Sequence, residues 1–354
     1  MRNISLVILF FLSYSCTSMS QERRDSVINT SDSISCQKDS IITSRLTLLF
    51  AGDLMQHQAQ INAARTSTGY NYSDCFKFVK EEINRADIAI ANLEVTLGGK
   101  PYRGYPAFSA PDEYLFAIRD AGFDVLITAN NHCLDKGKKG LERTLLMLDS
   151  LQIPHAGTYV NTESREQQYP LLLEKNGFRI ALLNYTYGTN GIKVTSPNVV
   201  NYIDKAVMKQ DIEAARAQHP DALIACMHWG DEYQSLPNKE QKNLTDWLLQ
   251  QGVTHIIGSH PHVVQPMELR TDSITGNQHV IVYSLGNFIS NMSARRTDGG
   301  LLFKLELEKD SVTRVANCGY SLVWTSRPVL SRKKNHILYP INYPADSLYV
   351  QSIR

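Results

Sequence analysis

The sequence predicts an α/β protein in which buried strands alternate with helices, and two observations carry that prediction. Apolar runs of strand length recur along the chain, beginning with residues 45–51 and 86–91. Near-continuous apolar runs are typical of strands that are covered on both faces. Amphipathic segments of helical length separate these runs, and regular strand–helix alternation indicates a layered α/β fold.

The individual elements follow from apolar runs and from helix start and stop signals. The predicted strands comprise residues 45–51, 86–91, 123–128, 179–183, 222–227, 254–258 and 280–283. The predicted helices comprise residues 74–85, 111–121, 139–151, 205–218 and 239–251. Pro111 suits the first turn of a helix, and Gly122, Pro220 and Gly252 lie where three of the helices should stop.

Length and charge exclude some classes of protein. The chain has 354 residues, of which 43% are hydrophobic and 20% are charged, and its formal net charge is +1. This length suits one large domain or two small ones, and it is ample for a buried core. Because nucleic-acid binding normally needs a basic face, the near-neutral balance argues against a nucleic-acid partner.

The N-terminal residues predict export. Arg2 precedes the apolar run 4–12, which is too short to span a bilayer and ends just before Cys16. We therefore interpret residues 1–16 as a signal peptide of the lipoprotein type, with Cys16 lipidated and anchored to a membrane; secretion without a lipid is the alternative. The polar residues 17–44 are expected to form a disordered tether. The folded domain should then span 45–310, with 311–354 packing on it as a C-terminal extension.

Polar side chains follow the predicted strands at the points where the strands end. In open α/β sheets the carboxyl ends of the strands converge on one rim, where ligands bind. A set of carboxylate, carboxamide and imidazole groups at successive strand ends indicates a functional site. The residues concerned are Asp53, Glu94, Asn131, His132, His228, His260 and His262.

The type of these side chains favours a metal centre. His260 and His262 flank Pro261, and neutral imidazole is the commonest protein ligand of transition metals. Mixed nitrogen and oxygen ligands without thiolates suit Mn, Zn or Fe. The candidate ligands are Asp53, Glu94, Asn131, His228, His260 and His262. Six ligands can hold one ion, or two ions bridged by a carboxylate.

Other residues near these motifs are candidates for supporting roles. Asp135 follows His132 by three residues and could orient its imidazole, or it could be an ordinary carboxylate at a helix start. Trp229 could line a substrate cleft or simply pack in the core. Lys100, Arg103 and Tyr105 lie in a glycine- and aromatic-rich segment that could grip an anionic chain, although an ordinary surface loop would look the same.

Six ordered motifs carry a family resemblance. They are Gly52–Met55, Asn92–Glu94, Thr128–Asp135, His228–Gly230, Gly258–His262 and Tyr283–Phe288. Over roughly residues 46–305 the chain resembles the bacterial capsule-synthesis CapA family, which is associated with poly-γ-glutamate. That family is related to the calcineurin-like metallophosphoesterases. The resemblance therefore implies a four-layer αββα sandwich of two mixed sheets, with the active site at the strand ends.

The resemblance also implies roles for single residues. Asp53 would be the first metal-binding aspartate, Glu94 would stand at the bridging position, and Asn131 would be the metal-binding asparagine. His228 and His260 would bind one ion and His262 the other. His132 would act on the transition state, so the expected catalytic residues are His132, Asp53 and Asp135, with Asn287 of the last motif as a further substrate contact.

Two departures from the metallophosphoesterase pattern affect the first metal position. Met55 stands where those enzymes have a ligand histidine, two residues after the first aspartate. His57 could substitute for it, or it could be an ordinary loop residue. Glu94 is one methylene longer than the aspartate usual at its place, which changes the distance from backbone to ligand oxygen.

Three functions are compatible with these residues. The first is a metal-dependent hydrolase or transferase that acts on poly-γ-glutamate or a related anionic envelope polymer or peptide. The second is a non-enzymatic, anchored component of capsule export or retention, with capsule-synthesis membrane proteins as partners. The third is a metal-independent, epimerase-like enzyme that uses Asp53 and a histidine as an acid/base pair.

Overall fold

The computed structural model describes residues 43–341 and contains two mixed β-sheets that pack face to face. The strands are β1 (Ser44–Leu54), β2 (Ile88–Leu93), β3 (Val125–Ile127), β4 (His155–Ala156), β5 (Thr158–Tyr159), β6 (Leu171–Lys175), β7 (Phe178–Thr186), β8 (Val199–Val200), β9 (Ala222–His228), β10 (His255–Ser259), β11 (Met267–Thr271), β12 (Gln278–Val282), β13 (Asn287–Ile289), β14 (Gly299–Lys309), β15 (Thr313–Ser326) and β16 (Ile337–Pro340). The predicted signal peptide, Cys16 and nearly all of the predicted tether lie outside the described residues.

The helices lie between the strands. They are α1 (Gln58–Ala64), α2 (Lys80–Ile83), α3 (Asp112–Ala121), α4 (Gly137–Ser150), α5 (Thr162–Gln168), α6 (Lys205–Ala217), α7 (Lys239–Gln251) and α8 (Pro328–Ser331). Between residues 43 and 341, no helix is both long enough and apolar enough to cross a membrane.

Both sheets combine parallel and antiparallel pairs. The first sheet has the order β16-β15-β14-β1-β2-β3-β4, with β13 also paired to β1, and its β1-β2-β3-β4 part is parallel. The second sheet has the order β11-β12-β10-β9-β7-β6, with a parallel centre of β12, β10, β9 and β7. The carboxyl ends of the parallel strands in each sheet therefore lie along one edge of that sheet.

Three apolar layers define the architecture. Leu48 and Phe50 of β1 belong to the cluster between the two sheets, whereas Leu49 and Ala51 belong to the cluster under α3 and α4. This alternation is the two-residue period of a strand that is buried on both faces. A third cluster packs β9 against α6 and α7. The order of layers is helix, sheet, sheet, helix, so the predicted αββα fold is confirmed.

Four of the five predicted helices match α3, α4, α6 and α7 to within two residues, but the helix predicted over 74–85 forms only in part. Only the four residues of α2 are helical, and tight turns precede them. The backbone N–H groups of Cys75 and Val79 donate to the carbonyls of Tyr72 and Phe76, three residues earlier, at 3.0 and 3.1 Å. Phe76 and Val79 are buried in the core, so tertiary packing overrides helix propensity here.

Beyond residue 310 the chain continues the first sheet. Strand β15 pairs with β14 from Thr313 to Trp324, and β16 then pairs with the end of β15. The described part of the C-terminal region therefore forms one side of the sheet that carries β1 and β2.

A buried ion pair ties α5 to α6. Both terminal carboxylate oxygens of Asp211 accept hydrogen bonds from Arg165 at 2.8 and 2.7 Å, and the Tyr185 hydroxyl donates to Asp211 at 2.9 Å. The side chain of Asp211 is only 8% exposed and that of Arg165 17% exposed. Removing one partner leaves the other charge poorly solvated, which is strongly destabilising.

We therefore expect Asp211→Ala to lower the free energy of unfolding by about 3 kcal/mol, near the low end for a buried pair because Arg165 keeps some contact with solvent. Urea unfolding followed by circular dichroism measures this. Glu213→Ala on the same helix is the matched control, because its contact with Lys209 is exposed and 3.9 Å long, and such pairs contribute little. Equal midpoints for the two variants would contradict the prediction.

Candidate metal centre

The strand ends of both sheets meet at a buried polar cluster. Asp53 lies at the end of β1 and Glu94 directly after β2 in the first sheet, while His228 ends β9 in the second. His260 and His262 follow β10, which pairs with β9. All five side chains are at most 3% exposed. The structure thus brings together groups that lie far apart in the sequence.

Two glycines allow β1 and β10 to pack closely against the segment before Asn287. A Cβ atom on Gly52 would lie 1.9 Å from the carbonyl oxygen of Gly286, and one on Gly258 would lie 2.0 Å from that of Tyr283. Neither contact is compatible with a side chain. Glycine at these positions therefore lets β1 and β10 pack against the segment before Asn287. This packing sets the positions of Asp53 and of the loop that carries His260 and His262, called the histidine loop below.

The backbone of the histidine loop is strained at both imidazoles. His260 has φ = +99° and His262 has φ = +58°, values that non-glycine residues rarely adopt. Such conformations cost free energy and persist where surrounding contacts enforce them, often at functional sites. Here the strain points two side chains from one short loop into the same cluster.

Hydrogen bonds fix the carboxylate end of the cluster. The Asn92 side-chain amide donates to Asp53 Oδ1 at 2.8 Å and lies 3.4 Å from Glu94 Oε2. His262 Nδ1 lies 3.2 Å from Asp53 Oδ2 and 3.0 Å from Asn287 Oδ1. Asp53 and His262 are therefore held by direct contacts across the seam between the two sheets.

One oxygen of Glu94 has no hydrogen-bond partner among the described residues, although Glu94 is fully buried. This oxygen, Oε1, lies 3.9 Å from Nε2 of His228 and 3.9 Å from Nε2 of His262. Ligands of Zn²⁺ bind at about 2.0–2.2 Å, so two ligand atoms of one ion are at most about 4.2 Å apart. Each distance is thus short enough for a cation to be shared, and Glu94 can serve both histidines.

The remaining ligand candidates surround the same point. Asn131 Oδ1 lies 3.0 Å from His228 Nε2, and the rings of His228 and His260 are 4.8 Å apart. Two groups have ligand atoms within 4.8 Å of one another: Asp53, Glu94 and His262, and a second group of Glu232, His260 and His262. The cluster therefore offers two adjacent positions for a cation.

Burial and charge shift the titration of these groups in opposite directions. Burial alone would raise the pKa of Asp53, but the hydrogen bond and charge of His262 outweigh it and hold that pKa below its ordinary value. Burial and the neighbouring Asp53 carboxylate raise the pKa of Glu94 well above its ordinary value. A second buried carboxylate next to an ionised one is costly unless a proton or a cation neutralises it.

The imidazoles are mostly held neutral. Burial, followed by the charges of neighbouring histidines, lowers the pKa of His228 well below its ordinary value and that of His260 to about 3. Neutral imidazole is the form that binds metals. Burial would also lower the pKa of His262, but its hydrogen bond and charge contact with Asp53 outweigh burial and raise it. The partnerless Glu94 oxygen and the neutral imidazoles fit a divalent cation, with ligands that suit Mn, Zn or Fe.

His132 and Asp135 form a separate pair beside the cluster. His132 Nδ1 lies 2.8 Å from Asp135 Oδ2, which also accepts the backbone N–H of Phe108 at 2.7 Å. Burial raises the pKa of Asp135 above its ordinary value, although the hydrogen bond to His132 partly offsets this effect. Asp135 lies in the turn before α4 and not in its first turn. Its carboxylate contacts the imidazole directly. This geometry fixes the orientation of the ring.

Two of the residues considered as substrate contacts are buried and hydrogen-bonded within the protein. Trp229 is 2% exposed, and its ring N–H donates to the Tyr283 carbonyl at 3.0 Å, so it packs in the core of the second sheet. Asn287 is fully buried; its amide donates to the Thr297 carbonyl at 2.8 Å and its oxygen contacts His262. Both side chains are committed to other contacts, and Asn287 positions a candidate ligand.

The segment predicted to grip substrate has an exposed outer surface. Lys100 and Arg103 are exposed, and Tyr105 is 71% exposed. The segment reaches the cluster through Phe108, whose ring lies 4.6 Å from the His132 ring and 5.2 Å from the His57 ring. Phe108, three residues after Tyr105, therefore joins this segment to the pair formed by His132 and Asp135.

Neither Met55 nor His57 belongs to the two groups of ligand atoms found within residues 43–341. Met55 is buried in the apolar cluster on the helix side of the first sheet. His57 precedes α1; its Nδ1 lies 3.3 Å from Gln60 Oε1 and accepts the Asn291 backbone N–H at 3.3 Å. Burial lowers the pKa of His57 to about 4, with the charges of His262 and His132 adding to this effect. The contacts of His57 Nδ1 make it a poor substitute ligand.

Sequence reasoning missed several residues of the cluster. Asn92 stands two residues before Glu94, and because alternate residues of a strand share a face, this spacing could have identified it. Glu232 lies in a loop and carries no such periodic signal. Tyr187 directly follows β7, so the rule that ligands gather at strand ends does identify its loop. The Tyr187 ring packs 4.5 Å from the His260 ring, and Asn190 accepts a hydrogen bond from Asn131 at 3.3 Å.

Comparison with known sequences agrees with these motifs. The model of the family described as bacterial capsule synthesis protein PGA_cap matches residues 47–292. The capsule biosynthesis protein CapA of Bacillus anthracis is 28% identical over 284 residues, covering 77% of this chain and 66% of that protein. The PGA biosynthesis protein CapA of Bacillus subtilis (strain 168) is 28% identical over 279 residues, covering 76% and 70%. The matched region thus spans just under two thirds of the first relative.

Two solved structures share a looser likeness. The NAD nucleotidase of Haemophilus influenzae is 13% identical with a TM-score of 0.49, covering 80% of this chain and 58% of that one. The 5'-nucleotidase of Candida albicans SC5314 is 12% identical with a TM-score of 0.43, covering 87% of this chain and 57% of that one.

The family match extends over most of the described chain and includes Asp53, Glu94 and all the candidate ligands up to His262. From the span of that match, this chain belongs to the bacterial capsule synthesis protein PGA_cap family.

Proposed function

We propose that this protein is a metal-dependent hydrolase or transferase that acts on poly-γ-glutamate or a related anionic capsule polymer. Membership of the PGA_cap family supports the polymer class, because two relatives are named for capsule and PGA biosynthesis. The observation that carries the metal dependence is the buried Glu94 Oε1, which has no partner among residues 43–341 and lies between two imidazoles.

The residues divide into a cation-binding set and a proton-transfer pair. Asp53, Glu94 and His262 would hold one position. His260 would contribute to the adjacent one, with His228 and Asn131 beside it. A divalent cation bound by these residues would supply a Lewis acid that polarises a carbonyl or phosphoryl oxygen of the substrate. The surrounding carboxylates would repel an anionic polymer. A bound cation would offset their charge, so we expect the cation to bind before the polymer.

The pair of His132 and Asp135 would transfer the proton. With Nδ1 of His132 held by Asp135, Nε2 is the ring nitrogen available to exchange a proton with the reacting group. Asp135 stabilises the charged ring that forms when the proton arrives. The Phe108 ring makes an edge contact with this imidazole, with the ring centres 4.6 Å apart.

Exposed side chains near the centre would contact the polymer. Tyr187 and Tyr233 are about half exposed, and their rings lie 4.5 Å from that of His260 and 6.2 Å from that of His262. Lys100 and Arg103 would attract the polymer's carboxylates from the neighbouring segment. Lipidation at Cys16 would anchor the protein to the cell envelope, where capsule-synthesis membrane proteins would be its partners.

Elemental analysis combined with a polymer assay tests this proposal. We expect one or two equivalents of Mn, Zn or Fe per chain, and we expect a chelator to abolish the conversion of poly-γ-glutamate to shorter or transferred chains. Restoring the ion should restore the reaction. A chain that binds none of the three ions would overturn the proposal. A chelator-resistant change of configuration in an intact polymer would favour the acid/base alternative.

Unaltered capsule in cells that carry Glu94→Gln would instead favour the non-enzymatic role in export or retention. The control is a Cys16→Ala variant, which removes the proposed lipid anchor and should alter the capsule if the protein serves in export or retention. The non-enzymatic role requires the anchor and does not require the buried carboxylate.

A further inference from the structure

Glu232 brings a third carboxylate to the cluster from outside the strand ends. One of its oxygens lies within 4.8 Å of ligand atoms of His260 and His262. Unlike Asp53 and Glu94, which are fully buried, Glu232 is exposed. It stands four residues after His228, in the loop between β9 and α7. The carboxylate therefore approaches the two imidazoles from the solvent side.

Backbone contacts hold this loop against the histidine loop. The N–H of Tyr233 donates to the carbonyl of Pro261 at 2.8 Å, and Pro261 lies between the two histidines. On the other side, the N–H of Trp229 donates to the Ser259 carbonyl at 3.2 Å. Gln265 adds a side-chain bond to the Gln234 carbonyl at 2.9 Å. Glu232 is thus fixed opposite His260 and His262 by bonds on both sides of it.

A second observation comes from His260, one of the two imidazoles within 4.8 Å of the Glu232 carboxylate. Its Nδ1 is buried and has no hydrogen-bond partner among the described residues. Buried polar atoms in folded proteins are nearly always paired, so such an atom calls for an explanation. The strained backbone of His260, at φ = +99°, holds the ring in this position at some cost.

We propose that Glu232 is a metal ligand that, together with His260, completes the coordination of the cation on the solvent side. The inference rests on the metal dependence proposed above. Glu232 adds a carboxylate to the group of His260 and His262, which contains neither Asp53 nor Glu94. One carboxylate and one imidazole are a suitable pair of ligands for Mn²⁺ or Zn²⁺.

Binding of Mn²⁺ to the full chain tests the proposal without any assay of activity. Isothermal titration calorimetry and the electron paramagnetic resonance signal of free Mn²⁺ should be recorded for the wild-type protein, Glu232→Gln and Asp231→Asn. Asp231→Asn is the matched control, because it removes the same charge from the adjacent residue of the same loop. Asparagine can still accept the hydrogen bond that Asp231 accepts from Asn238.

We expect Glu232→Gln to weaken Mn²⁺ binding by about tenfold or more, since loss of even an outer contact to a metal ligand costs about 10–100-fold. Asp231→Asn should bind as the wild-type protein does, and all three proteins should unfold at the same temperature in the presence of a chelator. Equal affinity of Glu232→Gln and wild type would overturn the inference. Equal weakening by both substitutions would also overturn it, because that outcome reflects local charge and not a ligand.

The same experiment separates the two proposals. A wild-type protein that binds no Mn²⁺, Zn²⁺ or Fe²⁺ would overturn the metal dependence and the role of Glu232 together. A wild-type protein that binds the ion, beside a Glu232→Gln variant with unchanged affinity, would overturn only the role of Glu232.

Discussion

Glutamine in place of Glu94 is expected to weaken the binding of divalent cations by at least about 100-fold, the upper end of what an outer-shell change costs. The amide keeps the size of the side chain but has no charge, and its NH₂ group cannot bind a cation. Because Glu94 Oε1 lies 3.9 Å from ligand atoms of both His228 and His262, both cation positions lose a ligand. Turnover of the polymer should fall to background.

The fold should survive this substitution. Glu94 is a buried carboxylate beside Asp53, and a neutral amide removes a repulsive contact from the metal-free protein. We therefore expect thermal unfolding in chelator at the wild-type temperature or above it. Calorimetric titration with Mn²⁺ and a thermal scan together measure both effects. The variant Asp211→Ala should show the opposite pattern, with normal metal binding and reduced stability. Wild-type affinity in Glu94→Gln would contradict the prediction.

Replacement of His132 by glutamine is expected to lower kcat by about 10²–10⁴-fold, the usual contribution of a general acid or base. Asp135→Asn should lower it by a smaller factor, because the amide still contacts the ring but cannot stabilise its charge. Neither residue belongs to the two groups of ligand atoms, so bound metal should remain at the wild-type level.

The control for His132→Gln is His155→Gln, which changes another buried histidine. Its Nε2 contacts Asp149 at 3.1 Å, and it belongs to neither group of ligand atoms found in the described chain. We expect wild-type kcat for this control. If His132→Gln instead raised KM alone, with kcat intact, His132 would bind the substrate without transferring a proton. Steady-state kinetics across pH distinguish these outcomes.

Strand periodicity accounts for most of what the sequence predicted correctly. Apolar runs identified the central strands of both sheets, and the rule that ligands gather at strand ends brought Asp53, Glu94 and His228 into one set. That rule depends only on local pattern and on the convergence of parallel strands. It therefore identifies the rim of each sheet, whereas the meeting of the two rims depends on how the sheets pack.

The features that sequence missed depend on contacts between distant segments. Glu232 reaches the cluster because the N–H of Tyr233 bonds to Pro261, and a loop position of this kind has no periodic signal. Whether Trp229 lines a cleft or packs in the core could be decided only from the structure, where its ring N–H donates to the buried carbonyl of Tyr283. The helix predicted over 74–85 gave way to turns because Phe76 and Val79 pack into the core.

The cluster lies across the seam between the two sheets, and this has a consequence for biogenesis. The contact between Asp53 and His262 joins residues 209 positions apart, one from each sheet. A cation held by both would therefore fasten the sandwich together and add its binding energy to stability. Since the site cannot exist until the second sheet has docked, the chain would acquire its ion only in the compartment where folding finishes. A protein exported before folding would be loaded from the metals outside the cytosol.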